Sequence, residues 1–357
     1  MEMSKEGLFM TQGRVVVFSF ATALWAVVLI PLVESGCATK DSKDTFALSE
    51  VEQKKLDELR AETEVGRNMA GRLLSFYGNQ ESQELLKYVN RVGTYVAGYG
   101  DHPERRYMFE ILDTEMVNAF ACPGGYVLIS KGALRHAQTE AELAAILGHE
   151  VVHVGNKHMF NKLQTMSSEE MEKSANDAVA AKGVPQELLV RKRPEAVTSD
   201  TAAQLARYLQ GGAAGFSIMK AARAGMAVML EQGLGADKEY EADREGVKYS
   251  IRAGYDPTAM EDFLCRLQKE KNNEKVTERK CRMNLADAGK VDPKKVQNKT
   301  ILDKTHPPIS ERVKNVRAAM AELNADEIIG AVGKKRFERA QSLMPKKKKE
   351  SGKGQDT

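Results

Sequence analysis

Two histidines four residues apart, His149 and His153, stand in the run Ala144–Val154, AAILGHEVVHV, with Glu150 directly after the first. On a helix, positions i and i+4 differ by about 40° in azimuth, so both imidazoles leave one face. Neutral imidazoles one turn apart can hold a single zinc ion at about 2.0–2.1 Å each. Glu150 points to the side of that pair, where it can take a proton from a water held by the metal without becoming a ligand. The rest of the run is apolar. Burying three polar groups unpaired would cost several kcal/mol, so they need a partner, and a metal ion supplies one.

The third ligand must come from elsewhere. His158 follows in HEVVHVGNKH, but on a continuous helix it points about 180° from His149. The spacing that adds a third histidine to an extended HExxHxxGxxH pattern falls on Met159 instead. His158 therefore reads as a packing or capping residue. KEYEAD, further along, offers Glu239 and Asp243, again four apart on one face. Glu239 reads as the third ligand. Asp243 reads as its support, accepting from a ligand imidazole to fix the tautomer. Glu241 points away from that pair.

These side chains need helices to carry them. Thr139 and Glu142 form a capping-box pattern that opens the HExxH helix, and Ser49 with Glu52 opens a charged helix running to about Tyr77. Leu85, Val89, Val92 and Val96 mark one face of a second helix. RYMFEIL, NAFA and YVLISK read as strands, the last two joined by Pro123-Gly124-Gly125 as a hairpin. Residues 211–230 match a membrane span in length, but Lys220 and Arg223 lie near the centre, so a close-packed core helix is the better reading. The expected fold is α+β and mostly helical, with a small antiparallel sheet or hairpin beside the HExxH helix. The expected boundaries are a signal or anchor over 1–37, a tether over 38–48, a catalytic domain over 49–330 and a basic, disordered tail over 331–357. Within the domain, 160–210 reads as a polar, partly helical insertion.

HEVVH followed by EYEAD resembles metallopeptidase family forty-eight, the group that includes HtpX, BepA and the mitochondrial Oma protease. VNAFACPGGYVLISKGAL (Val117–Leu134) is similar to the hairpin block that precedes the zinc helix in that family, and AGYDPTAM and THPPISERV resemble its later landmarks. Cys122, where leucine is more usual, and the insertion before Glu239 are departures. The resemblance implies a gluzincin: His149, His153 and Glu239 hold one Zn²⁺, and Glu150 is the general base for attack on a peptide carbonyl. The segment Asn118-Ala119-Phe120 is either a strand to which substrate backbone adds or an ordinary hairpin strand. Arg312 could donate to the oxyanion or brace the acidic ligands. His306, before two prolines, is either a latch reaching the open zinc position or a structural residue of the turn. His102 and His136 carry no pattern and read as surface residues.

Composition narrows the partners. With 53 basic against 50 acidic residues and 6% aromatics, the chain shows no sign of nucleic-acid binding. Val15–Val33 is uncharged and follows Arg14, as in a secretory signal or signal anchor. Ser35-Gly36-Cys37 resembles the end of a bacterial lipoprotein signal, although Glu34 departs from it; ordinary cleavage and an uncleaved anchor are the alternatives to lipidation of Cys37. The body is therefore expected in the bacterial periplasm, attached to a membrane by lipid or helix. Cys122, Cys265 and Cys281 make no disulfide framework; one Cys265–Cys281 bond and simple buried thiols are both open. The combined expectation is a zinc endopeptidase acting on misfolded or misassembled envelope polypeptides. The alternative is a mainly non-proteolytic assembly factor for outer-membrane proteins.

Overall fold

The computed structural model describes residues 49–79, 82–180, 185–189, 218–271, 281 and 301–345. Val15–Val33, Cys37, the tether, residues 190–210 of the expected insertion and the lysine-rich 346–357 lie outside them. Among the described residues no helix is long and apolar enough to cross a membrane.

A reciprocal Ser49–Glu52 capping box starts α1 (Glu50–Tyr77), and Ser82 caps α2 (Gln83–Ala97), whose Leu85, Val89, Val92 and Val96 form one buried stripe. Three short strands follow, β1 (Met108–Leu112), β2 (Ala119–Cys122) and β3 (Tyr126–Ser130), in the order β1-β3-β2. β2 and β3 are the expected antiparallel hairpin, turning through Gly124 and Gly125 at φ 73° and 105°. β1 lies on the far side of β3 and runs parallel to it, so the sheet is mixed rather than antiparallel throughout. The reason is the 113–118 connection, which crosses the end of β3 and is pinned there by Gly132 N–H donating to the Thr114 carbonyl at 3.0 Å. The outer edge of β1 is closed by Asn90 of α2, whose amide accepts from Phe109 N–H and donates to the Phe109 carbonyl. β2 is the other edge strand of the sheet.

Ser130 caps α3 (Lys131–His136), and Thr139 caps α4 (Glu140–Gly155), every residue of which is buried. The chain then breaks and continues as α5 (His158–Thr165), α6 (Ser168–Ala180) and α7 (Gln186–Leu189). These pack with α1 and α8 (Ile218–Ala227) in one apolar cluster, so the described start of the expected insertion belongs to the core. After α8 comes a π-helical turn (Val228–Gln232) and then α9 (Ala236–Arg252) and α10 (Ala259–Lys271). α11 (Ile301–Thr305) and α12 (Ile309–Glu322) follow. A second cluster joins α2, the inner side of the sheet, α4, α9, α10 and α12. The result is α+β and mostly helical, with the apolar residues of α4 in the second cluster.

Residues 331–345 do not behave as a solvated tail. Ala331 bridges Tyr255, and α13 (Lys334–Gln341) buries Phe337 against Tyr88. Arg336 pairs with Glu140 at the start of α4, its Nη2 at 2.6 Å, and Gln341 donates to the carbonyls of Leu134 and Ala137. His136 is not a surface residue either: it stands 3.1 Å from Glu270 and edge-on to Phe263. Cys265 and Cys281 form a disulfide, and Cys122 is a buried free thiol.

Candidate metal centre

α4 and α9 meet where each helix has a glycine. A Cβ on Gly148 would come 2.7 Å from the Gly246 carbonyl oxygen, and one on Gly246 would come 2.6 Å from the His149 nitrogen. Only two glycines let the backbones approach this closely. Glu239, Asp243 and Gly246 are spaced along one face of α9, so the crossing brings both carboxylates onto the histidine face of α4.

There, His149 Nε2 and His153 Nε2 are 3.1 Å apart. Glu239 Oε2 is 3.5 Å from His149 Nε2, and its Oε1 is 3.6 Å from His153 Nε2. Among the described residues these three side chains, all buried, form the one group whose donor atoms fall within 4.8 Å of one another in a metal-holding arrangement. Glu239 Oε2 is buried and accepts no hydrogen bond. Two imidazole nitrogens and a carboxylate oxygen converging in a buried site form a donor set suited to Zn²⁺. Burial opposes charge on Glu239, but the neighbouring His306 and His153 outweigh it and hold the carboxyl well below its ordinary range. Burial likewise opposes charge on His149, and Asp243 and Glu239 reverse this, raising it to about 9. The site thus favours a cation among its donors.

The far nitrogens of both imidazoles also face polar partners. His149 Nδ1 is 3.0 Å from Asp243 Oδ1, and Arg312 of α12 grips that carboxylate with Nη2 at 2.7 Å and Nε at 3.0 Å. Asp243 is fully buried, which alone would raise its pKa; Arg312 and His149 bring it down to about 2. The guanidinium thus braces Asp243, which in turn faces His149.

His153 Nδ1 is 3.0 Å from His158 Nδ1. The expectation that His158 points away assumed an unbroken helix. α4 instead ends at Gly155, Lys157 adopts left-handed φ 54°, and the restarted α5 brings His158 back to His153. Glu241 is part of the same arrangement, 3.5 Å from His158 Nε2 and accepting from Asn156 at 2.6 Å. Burial, then the neighbouring His153, lower His158 to about 4, so it stands neutral. Gly155-Asn156 is the sequence signal that could have revealed the break.

Glu150 sits between two clefts that meet at the metal-ligand group, of about 430 Å³ and 390 Å³, and both are also lined by Asn118, Ala119 and His306. Burial pushes the Glu150 carboxyl up from its ordinary range, with His149 and His153 pulling the other way. Phe120 lines only the second cleft. His306 Nε2 is 3.2 Å from Glu239 Oε2, and its Nδ1 is 2.9 Å from Thr305 Oγ1. Its loop is seated on the π-helical turn: Gly233, at φ 70°, lies so close to Thr305 that a Cβ would come 2.2 Å from the Thr305 carbonyl oxygen.

Residues 83–320 match the model of peptidase family M48. The chain belongs to that family. Its HExxH helix, α9 and the α12 brace all fall inside the matched span. Among curated proteins it is 28% identical over 186 residues to the putative beta-barrel assembly-enhancing protease of Vibrio cholerae serotype O1, covering 52% of this chain and 33% of that one. It is 29% identical over 184 residues to the beta-barrel assembly-enhancing protease of Escherichia coli (strain K12), covering 51% and 32%. A 49-residue segment is 37% identical to the mitochondrial metalloendopeptidase OMA1 of Arabidopsis thaliana, 14% of this chain and 10% of that one. The chain thus matches only about a third of the length of these bacterial relatives.

Proposed function

We propose that this chain is a zinc-dependent endopeptidase of the bacterial cell envelope that hydrolyses misfolded or misassembled polypeptides. The observation that carries the reading is the convergence of His149, His153 and Glu239 beside Glu150, at the junction of two clefts along the β2 edge. His149, His153 and Glu239 are the ligands, with Asp243 and His158 behind the imidazoles. Zinc, when bound, supplies Lewis acidity toward the scissile carbonyl and brings the pKa of a water in the site down to about 7. Glu150 takes the proton of the attacking water and returns it to the leaving amine. Arg312 keeps Asp243 ionised and fixed. Asn118, Ala119 and Phe120 offer backbone to an extended substrate, which favours broad selectivity for unfolded chains over a defined sequence. The beta-barrel assembly-enhancing name of the bacterial relatives supports an envelope setting, and Cys37 lipidation or the Val15–Val33 helix would attach the protein to a membrane there.

A second reading is favoured by His306. Its Nε2 beside Glu239 places an imidazole over the ligand group, as a latch would, so a mainly non-proteolytic assembly factor that cleaves rarely fits the same geometry. Glu150→Gln separates the two readings. The zinc-loaded wild type should cleave an unfolded protein substrate, and Glu150→Gln should lose cleavage by at least about 100-fold while keeping its zinc. Cleavage unchanged in Glu150→Gln would defeat the endopeptidase mechanism. Complementation by Glu150→Gln in cells would favour the assembly factor.

A further inference from the structure

The larger of the two clefts has two kinds of wall. Part of its lining is polar: His149, Glu150, His306 and Arg312, with the Asn118-Ala119 edge. The rest of its lining is apolar. Met260, Phe263 and Leu267 present one face of α10 to it, and Ile146, one turn before His149 on α4, faces them together with Ala133 and Leu302. A wall of this kind has no role in holding a metal or moving a proton. It adjoins the place where a peptide carbonyl must lie if Glu150 is to serve as base.

α10 is held in place on three sides. Arg266 pairs with Glu142 of α4, Arg317 of α12 reaches Glu261 at 2.6 Å, and the buried Cys265–Cys281 disulfide ties it to Cys281, whose N–H donates to Asp262 at 2.8 Å. A wall fixed in this way cannot close over a small side chain or retreat from an oversized one. That rigidity is what turns an apolar surface into a size filter.

We propose that the Met260, Phe263 and Leu267 face of α10 is the specificity-determining wall of this site, selecting a bulky apolar substrate side chain next to the scissile bond. The proposal rests on the endopeptidase reading and adds a preference to the sequence-tolerant backbone pairing along β2. A leucine- or phenylalanine-sized side chain seated there gains on the order of 10- to 100-fold over alanine. A charged side chain loses more, because nothing on the wall can pair with it.

The test uses the zinc-loaded full chain and a peptide series in which each position flanking the cleaved bond is varied among Ala, Val, Leu, Phe, Trp and Asp. Wild type should show one position, adjacent to the bond, where Leu or Phe exceeds Ala by 10-fold or more in kcat/KM. Met260→Phe, which fills the cleft, should move that optimum to Val or Ala. Phe263→Ala, which enlarges it, should move the optimum toward Trp. Cleavage with no apolar preference at any position overturns the proposal while leaving the protease reading intact. So does a preference that neither variant shifts, with both folded and zinc-bound. If neither variant folds, the wild-type series alone decides. If wild type cleaves none of the peptides, their binding to the zinc-loaded protein decides: an apolar preference in Kd sustains the wall and defeats the protease reading, and its absence defeats both.

Discussion

Gly246→Ala adds one methyl group where the structure has no room for it. The new Cβ would lie 2.6 Å from the His149 nitrogen and 2.8 Å from the Gly148 carbonyl carbon. Ordinary contacts of this kind are about 3.5–4.0 Å, so α9 must withdraw from α4 by roughly 1 Å. Backbone atoms of a helix buried along its whole length cannot yield instead. Overpacking of this sort costs about 1–3 kcal/mol, and the better helix propensity of alanine returns about 1 kcal/mol, leaving a net loss of about 0–2 kcal/mol. The larger effect falls on the metal. Glu239 and Asp243 ride on the withdrawing face, and a shift of roughly 1 Å exceeds the ~0.5 Å within which a site keeps its function. Zinc affinity should fall at least about 10-fold. Urea unfolding of the metal-free protein and chelator competition for zinc measure the two effects. Gly71→Ala in α1 is the control. Nothing lies within 4 Å of its Cβ, so it should gain up to about 1 kcal/mol and leave zinc affinity unchanged. If Gly246→Ala behaves like Gly71→Ala, the glycine crossing does not set the ligand geometry.

His158→Phe keeps the bulk but removes the nitrogen 3.0 Å from His153 Nδ1, and chelator competition should show about 10- to 100-fold weaker zinc binding with little change in helix content. Burial opposes ionisation of Glu140, but Arg336 and Tyr88 outweigh it and lower its pKa below the ordinary 4.5. Its contribution to docking α13 is therefore complete above about pH 4.5 and is lost as pH falls through the folded value. Hydrogen exchange over Lys334–Gln341 should accelerate on acidification, and in Arg336→Gln it should be fast already at neutral pH. Replacing both Cys265 and Cys281 by alanine removes a closure of 16 residues and should cost about 3 kcal/mol in urea unfolding, a difference that disappears under reducing conditions.

What could be read from the sequence was local or carried by a single helical period. His149, Glu150 and His153 share one turn, and Glu239 and Asp243 share another, so their faces follow from 3.6-residue geometry before any tertiary contact is known. The β2–β3 hairpin is likewise local, fixed by Pro123-Gly124-Gly125. What escaped required two distant segments to meet. The parallel pairing of β1 depends on where the 113–118 connection crosses. The role of Gly148 and Gly246 exists only in their mutual approach, and neither glycine looks unusual in its own helix. His158 was placed by extending a helix past Gly155 that in fact stops there. The segment 331–345 was hidden by its charge: in KKRFERAQ one buried Phe337 and one ion pair to Glu140 outweigh a composition that reads as solvated.

The arrangement around the candidate ligands would also tie metal binding to the folding of a large part of the chain. The partner of His149 comes from α9, and its brace, Arg312, comes from α12; the partner of His153 comes from α5 after the break at Gly155. Glu239 lies on α9, against the loop that carries His306. No single supersecondary unit holds a complete site, so the ligand set forms only when α4, α5, α9 and α12 are docked together. A metal that binds this set and not the unfolded chain stabilises all four contacts at once, by about 2.7 kcal/mol at one hundred times its dissociation constant. That coupling explains why the least exposed side chains of the domain include charged ones. Asp243, Glu142 and Arg266 are buried as completely as the leucines around them, and each sits where one helix must register against another. Apolar packing alone would tolerate small slides between helices, whereas a buried ion pair or a ligand carboxylate loses its partner on the same displacement. α4 is thus oily along most of its length because its neighbours must press against it, and polar at the few positions where their alignment has to be fixed.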